Sequence, residues 1–369
     1  MNQLFRWDQM GLFLLALAAG ILPFAVPEVC AAALREGLTL CSGPLLLSLF
    51  PFLVVSRLLV QCPESDLLAL PFRLAAWGIG IRTPCAARVL CIGFLGGFAP
   101  AASAAAQAVR TGQLTAEEAD ALLPACICSG PSFVVLTVGQ SLLGSAELGV
   151  LLFASQITAN YLTAALLNRF AGVRSVKPGS AAPASPAPPQ LDEILADAAI
   201  TYGKLCGFIL FFRMLAAGAG ALLPVGAGTL CAVLLEVCSG CDLASRTGRW
   251  GSLLCCAALS VQGLSVLLQV RTICPPEMTL RPLYRSRLLH LPLSLALFYL
   301  LLPGGEADVF STLPARVLLM RRVPPDCALL VFAVCCMAAC TLRSGIRQVE
   351  QKQMARNAGG CCINSKTLL

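Results

Sequence analysis

Cys128-Ser129-Gly130-Pro131-Ser132-Phe133-Val134-Val135 interrupts one apolar stretch of this chain, and Val261-Gln262-Gly263-Leu264-Ser265-Val266-Leu267-Leu268 interrupts another. Each sets a glycine among small or polar residues where a continuous apolar helix would otherwise run. Unpaired backbone amides and carbonyls at membrane depth are tolerated only where they are buried in protein or line a wet cavity. A duplicated break therefore points to a site built between two halves of the chain.

The rest of the sequence supplies the membrane depth. Of its 369 residues, 57% are hydrophobic and only 12% charged, with mean hydropathy +0.81, whereas a soluble domain carries roughly 25% charged residues. Apolar runs at Gly11–Val26, Gly43–Val60, Val89–Val109, Gly149–Leu167, Leu205–Val225, Leu253–Val270, Leu289–Leu302 and Cys327–Leu342 approach the ~20 residues that span a bilayer as a helix. The expectation is an all-α, multi-pass membrane protein with about eight membrane helices, broken or re-entrant hairpins included. At the N-terminus, Arg6 before the first run and Ala31-Ala32-Ala33 after it leave a cleaved leader open. Asp8 spoils the basic leader and favours a first membrane helix.

Charge and cysteine usage exclude several classes. The formal net charge is +7, but the basic residues are scattered over loops and the tail without interleaved aromatics, so no nucleic-acid partner is expected. They read as topology: Arg169, Arg174 and Lys177, and then Arg343, Arg347, Lys352 and Arg356, mark the cytoplasmic candidates. The 20 cysteines sit mostly inside apolar runs, where cysteine packs as a small residue. Cys238-Ser239-Gly240-Cys241 has no second pair, and the single histidine, His290, lies far along the chain, so no metal site is expected. Cys361-Cys362 follows a basic tail, and both an acylated and an unmodified tail fit. Neither a Ser/His/Asp set nor a phosphate-binding Gly-rich loop is present, and no enzymatic activity is expected.

A Pro/Ala/Ser-rich segment within 171–190 reads as a linker. It separates an N-terminal membrane half, 1–170, from a C-terminal half, 191–342, which a basic tail, 343–369, follows. Leu191-Asp192-Glu193-Ile194-Leu195-Ala196-Asp197 reads as an amphipathic surface helix. Upstream of the first signature stands Gly96-Gly97-Phe98-Ala99-Pro100-Ala101, and upstream of the second Ser239-Gly240-Cys241-Asp242-Leu243-Ala244. Gly97 precedes Gly130 by 33 residues and Gly240 precedes Gly263 by 23. The hydrophilic insert Thr111–Asp120 accounts for the extra ten, and its Thr115-x-x-Glu118 is a capping box that opens a short helix. Glycine and serine also serve simply to let membrane helices pack closely, and that reading stays open for each motif taken alone.

Glu236 ends the apolar run Leu230–Leu235. A carboxylate at membrane depth costs roughly 2.5–3.5 kcal/mol on insertion scales and by default faces a cavity or a partner. It is the leading candidate for a coupling proton or cation, with an interfacial place near a helix end as the alternative. Gln262 and Gln269, seven residues apart, share a helical face with Ser265 between them. Gln140, Gln156, Asn160 and Tyr161 offer similar groups in the first half, either for a solute or for hydrogen bonds between helices. Gly130-Pro131 and Gly263 would end one helix and start the next, exposing amides at a positive helix end that suits an anion. The candidate solute- or ion-binding set is Ser129, Gly130, Ser132, Glu236, Gly240, Gln262, Gly263, Ser265 and Gln269.

Gly93-Phe94-Leu95-Gly96-Gly97-Phe98, Gly112-x-Leu114-Thr115-x-x-Glu118-Ala119 and Cys128-Ser129-Gly130-Pro131-Ser132-Phe133, followed by Thr137-Val138-Gly139, resemble the nucleoside recognition (Gate) domain of the YlbJ family of sporulation integral membrane proteins. Leu235-Glu236-x-x-x-Gly240 and Gly263-Leu264-Ser265-Val266-x-x-Gln269-Val270 continue the resemblance, which covers most of residues 40–300. The chain has Gly97-Phe98-Ala99-Pro100-Ala101-Ala102 where that family shows a Gly-Tyr-Pro-x-Gly-Ala turn, and Cys126 and Cys128 where it carries asparagines. The resemblance implies two Gate-like repeats similar to those of concentrative nucleoside transporters. It implies a permease in a cell or forespore membrane that moves a small polar or anionic solute such as dipicolinic acid. Its partners would be that solute and the lipid bilayer, together with further copies of the chain or other sporulation membrane proteins. A nucleoside or small-solute transporter outside sporulation and a non-transporting membrane assembly protein are the alternatives.

Overall fold

In a computed structural model, residues 2–61, 67–171 and 191–302 are described, and all their regular structure is helical. The linker segment 172–190, the run Cys327–Leu342, the basic tail and the Cys361-Cys362 pair lie outside the described residues. In chain order the helices are α1 (Asn2–Ala25), α2 (Pro27–Ser42), α3 (Pro44–Gln61), α4 (Leu70–Gly78), α5 (Pro84–Gly96), α6 (Phe98–Arg110) and α7 (Ala116–Cys126). A π-helix (Ser132–Leu142), α8 (Ala146–Ala171), α9 (Leu191–Leu222), α10 (Val225–Leu235) and α11 (Val237–Ser245) follow. A single 3-10 turn (Gly248–Trp250) leads into α12 (Gly251–Val261), α13 (Gly263–Ile273) and α14 (Arg281–Leu301).

Three helical segments are long and apolar enough to cross a membrane: Ala146–Ala171, Leu191–Leu222 and Gly248–Ile273. Phe13–Ala25 and Pro27–Ser42 make a fourth if taken as one span, although they bend by 111°. Pro27 explains the bend, since proline at the first position of α2 disfavours helical geometry in the residue before it. The other expected runs are shorter or broken. Val89–Val109 divides at Gly97 into α5 and α6, and Leu289–Leu302 is the C-terminal part of α14. Phe24, Phe170 and Leu288, from 79% to 89% exposed, stand out from a molecule whose interior is already filled, as lipid-facing side chains do. These features are those of a membrane protein.

The segment Leu191–Asp197, read from sequence as a separate surface helix, is instead the opening of α9, a continuous helix of 32 residues. Nothing at Ala198–Leu205 breaks it, so the polar first turns and the apolar run from Leu205 share one rod. The two sequence halves share one core: buried Ala104, Leu122 and Leu152 belong to the same cluster as Leu205, Val233 and Leu259. α9 packs against α2 and α3, and α14 packs against α7 and α8. At the centre lies α6, packed against α3, α5, α7 and α13. Its Ala99, Ala101, Ala102, Ala104, Ala105, Ala106 and Ala108 are all buried. Alanine on every face lets four neighbours approach closely, which is how helices associate where lipid removes the hydrophobic drive.

Thr115 and Glu118 form the expected capping box at the start of α7. The Glu118 amide donates to Thr115 Oγ1 at 3.1 Å, and the Thr115 amide donates to Glu118 Oε2 at 3.2 Å.

A candidate solute site at four helix breaks

The helix breaks come in two crossing pairs. In the first, α5 gives way to α6 at Gly97, with φ +82°, and α7 gives way to the π-helix through Ile127–Pro131. A Cβ on Gly97 would lie 2.7 Å from the Gly130 nitrogen, so the two backbones touch. Only glycine combines that φ with that approach. In the second pair, α10 gives way to α11 at Glu236, which is extended (φ −152°, ψ 127°), and α12 gives way to α13 at Gln262, which is left-handed (φ 63°). A Cβ on Gly263 would lie 2.9 Å from the Glu236 nitrogen. The pairs are joined directly, because Gln262 Nε2 donates to the Ile127 carbonyl at 3.4 Å.

A cavity of about 60 Å³ lies where these breaks converge. Leu95, Gly96 and Phe98 reach it from the first break, Ser129, Gly130, Ser132 and Phe133 from the second, and Glu236, Val237 and Cys238 from the third. Val266 and Gln269 come from α13, Leu45 and Leu49 from α3, and Ile209 from α9. The space holds roughly four waters at ~10–15 Å³ each, far below the ~300 Å³ or more of a drug-sized ligand site. A ring-sized solute would enter only if the break segments parted.

Of the candidate residues, Ser129, Gly130, Ser132, Glu236 and Gln269 line this cavity, while Gly240, Gln262, Gly263 and Ser265 do not. Gly240 lies inside α11, where a Cβ would meet Val233 Cα at 2.8 Å. It is a close-packing glycine between α10 and α11, and the break that answers Gly97 is at Glu236, four residues earlier. Gln262 and Gly263 form the break itself. Ser265 is fully buried and accepts from Gln269 Nε2 at 2.9 Å.

The Glu236 carboxylate is 2% exposed and fully employed. Oε1 accepts from the Cys238 amide at 2.8 Å, and Oε2 accepts from the Ser239 amide at 2.7 Å and the Ser239 hydroxyl at 2.8 Å. Glu236 is thus the N-cap of α11, a negative charge at the positive end of a helix. The carboxylate stands both at a helix end and at the wall of the cavity. The π-helix has no such side-chain cap, and the Ser129 and Ser132 hydroxyls beside its start line the cavity. Across from them Gln269, 2% exposed, keeps Oε1 without a hydrogen-bond partner. An unmet buried acceptor costs about 1–3 kcal/mol, so this atom calls for a donor from water or solute.

Gln156 and Asn160 do not reach the cavity. Asn160 Nδ2 donates to the Ile127 carbonyl at 3.2 Å, and Arg287 Nη2 donates to Asn160 Oδ1 at 3.1 Å. Gln156 Nε2 donates to Ser260 Oγ at 3.0 Å, and His290 Nε2 lies 3.2 Å from the Gln156 carbonyl. These bonds tie α8, α12 and α14 together behind the break, the inter-helix role that small membrane amides commonly take. Sequence reasoning missed the apolar walls, Phe98, Phe133, Leu45, Leu49 and Ile209. In a chain this apolar they carry no signal of their own. Among the described residues, no group of histidine, cysteine or acidic side chains is placed to hold a metal ion.

No family model matches this chain, and neither a curated protein nor a solved structure does.

Proposed function

We propose that this chain is a secondary transporter or permease that takes a small polar or anionic solute into the cavity between its broken helices. The observation that carries the reading is the convergence of three helix breaks, and of the helix that follows the fourth, on one cavity containing an uncapped helix start and an unmet buried acceptor. Discontinuous helices whose ends face a midplane site are the usual way a transporter presents backbone polarity to a solute. In this reading α5–α6 with α7 and the π-helix form one Gate-like repeat, and α10–α11 with α12–α13 form the other, within an assembly of about eight membrane helices. Ser129, Ser132, the amides at the π-helix start and Gln269 contact the solute, while Glu236 holds the α11 terminus and forms one wall. The resemblance to the YlbJ family makes dipicolinate the first solute to try and a sporulation membrane the proposed location.

The experiment is flux into vesicles reconstituted with the purified protein, using dipicolinate beside a panel of uncharged solutes including nucleosides. Dipicolinate uptake above empty vesicles, lowered by Ser129→Ala with Ser132→Ala, which remove the hydroxyl donors, supports the reading. Uptake of an uncharged solute alone moves the protein to a transporter of another substrate class. Absence of flux and of binding for every solute favours the assembly-protein reading, in which the glycines only pack helices. Deletion of the gene, with spore formation scored, separates a sporulation role from a general one.

A further inference from the structure

A second cavity, of about 140 Å³, is lined by α3, α6, α9 and α13, four of the helices that also line the first. On α9 it is lined by Lys204 and Leu205, whereas the central cavity is lined by Ile209. That is about one turn, or ~6 Å, further on. The walls are polar and predominantly cationic: Arg57, Arg110 and Lys204, against the single acid Asp197, with Ser103 and Thr201.

Arg57 is 7% exposed and satisfied. It forms an ion pair with Asp197 through Nη1, and it donates to Ser103 Oγ from Nε and to Thr201 Oγ1 from Nη2, each at 3.3 Å. The other two cations are not so employed. Among the described residues Arg110 Nη2 reaches only the Ile273 carbonyl, at 3.5 Å, and Lys204 has no ion pair or hydrogen bond. α6 ends at Arg110 and α13 at Ile273, and each helix terminus carries about half a negative charge. Those two ends offset about one of the two uncompensated positive charges and leave about one. The polar opening of α9 ends at Lys204, and the apolar run starts at Leu205, so the cavity lies where α9 changes from polar to apolar.

The geometry points to a binding site for a phosphate-class oxyanion, with Lys204 and Arg110 as its charged contacts and the Arg57–Asp197 pair as its preorganised floor. A tetrahedral anion accepts donors arriving from several helices at once, and basic pockets between membrane helices are suited to phosphate groups. A free phosphate and the phosphodiester of an anionic lipid share this chemistry. This site is independent of the solute read into the central cavity.

The test uses the purified full-length protein and the double variant Lys204→Gln/Arg110→Gln. One arm titrates inorganic phosphate against chloride at equal ionic strength. The other compares phosphatidylglycerol with phosphatidylcholine in nanodiscs, reading retained lipid by native mass spectrometry. The expected result is binding in at least one arm, weakened tenfold or more in the variant at an unchanged melting temperature. The phosphate arm alone identifies a free anion, and the lipid arm alone a headgroup. The single variant Lys204→Gln, at an exposed side chain with no partner to lose, replaces the double variant if that fails to fold. Equal binding by wild type and variant, or no binding in either arm, overturns the proposal.

Discussion

The two pairs of helix breaks solve one backbone problem in different ways. At Gly97 and Gly130 the backbones touch with no side chain between them, and the π-helix that follows starts without a cap. At Glu236 and Gly263 the backbones approach as closely, but the helix that follows is closed by its own carboxylate. A break inside a membrane protein must satisfy its free amides. The second pair does so at one of its two helix starts, that of α11, whereas α13, like α6 and the π-helix of the first pair, starts without a side-chain cap, and Ser129 and Ser132 beside the π-helix start line the cavity. The difference teaches that a buried carboxylate beside a cavity can be spent on closing a helix end.

The sharpest way to break the comparison is at its crossing points. Gly97→Ala and Gly263→Ala each force a positive φ on a residue with a Cβ and drive that Cβ into a backbone that cannot give way. Losses of roughly 2–4 kcal/mol are expected, read as a collapse in the yield of folded protein and in melting temperature. Gly130→Ala meets its nearest atom only at 3.4 Å. It should keep the fold and alter the solute site alone. Equal damage from all three substitutions would contradict the asymmetry.

Next in size is the cap. Glu236→Ala leaves two amides and a hydroxyl unmet at the start of α11 and should cost about 2 kcal/mol, seen in thermal unfolding. Glu236→Gln retains one accepting oxygen and should cost less. If Glu236→Gln leaves stability untouched yet abolishes the pH dependence of flux, the carboxylate is a coupling site and the assignment as a cap fails. Gln269→Leu removes the unmet acceptor from the cavity at similar volume. It should leave stability unchanged or slightly higher while weakening solute binding about tenfold, a change of ~1.4 kcal/mol measured by titration. The smallest effect belongs to Thr115→Ala, which removes half of the α7 capping box. About 1 kcal/mol of stability should go, with solute affinity unchanged.

Residues whose role depends on their immediate neighbours in the chain are legible in the sequence itself. Thr115 and Glu118, three apart, cap a helix because that spacing alone brings each side chain to the other's amide. The interruptions at Gly130 and Gly263 follow from glycine and proline among apolar residues, and the membrane environment follows from composition. The amphipathic reading of Leu191–Asp197 is correct in its polarity and wrong in its extent, because no local signal distinguishes a short surface helix from the first turns of a long one.

Position in the cavity is another matter. Gln262 and Gln269 share a helical face in the sequence, yet only Gln269 lines the cavity, because the helix is broken at Gln262 and its amide is spent on the Ile127 carbonyl. Gly240 matches Gly97 by motif, but the chain breaks at Glu236. The amino-acid sequence by itself determined that this protein is helical, apolar enough for a membrane, and broken at two matched places, since those are properties of composition and local backbone freedom. Which breaks cross, which helix end is closed by a carboxylate and which is left open were decided only in the tertiary structure. Those outcomes depend on how helices distant in sequence rotate and approach, and no local spacing encodes that.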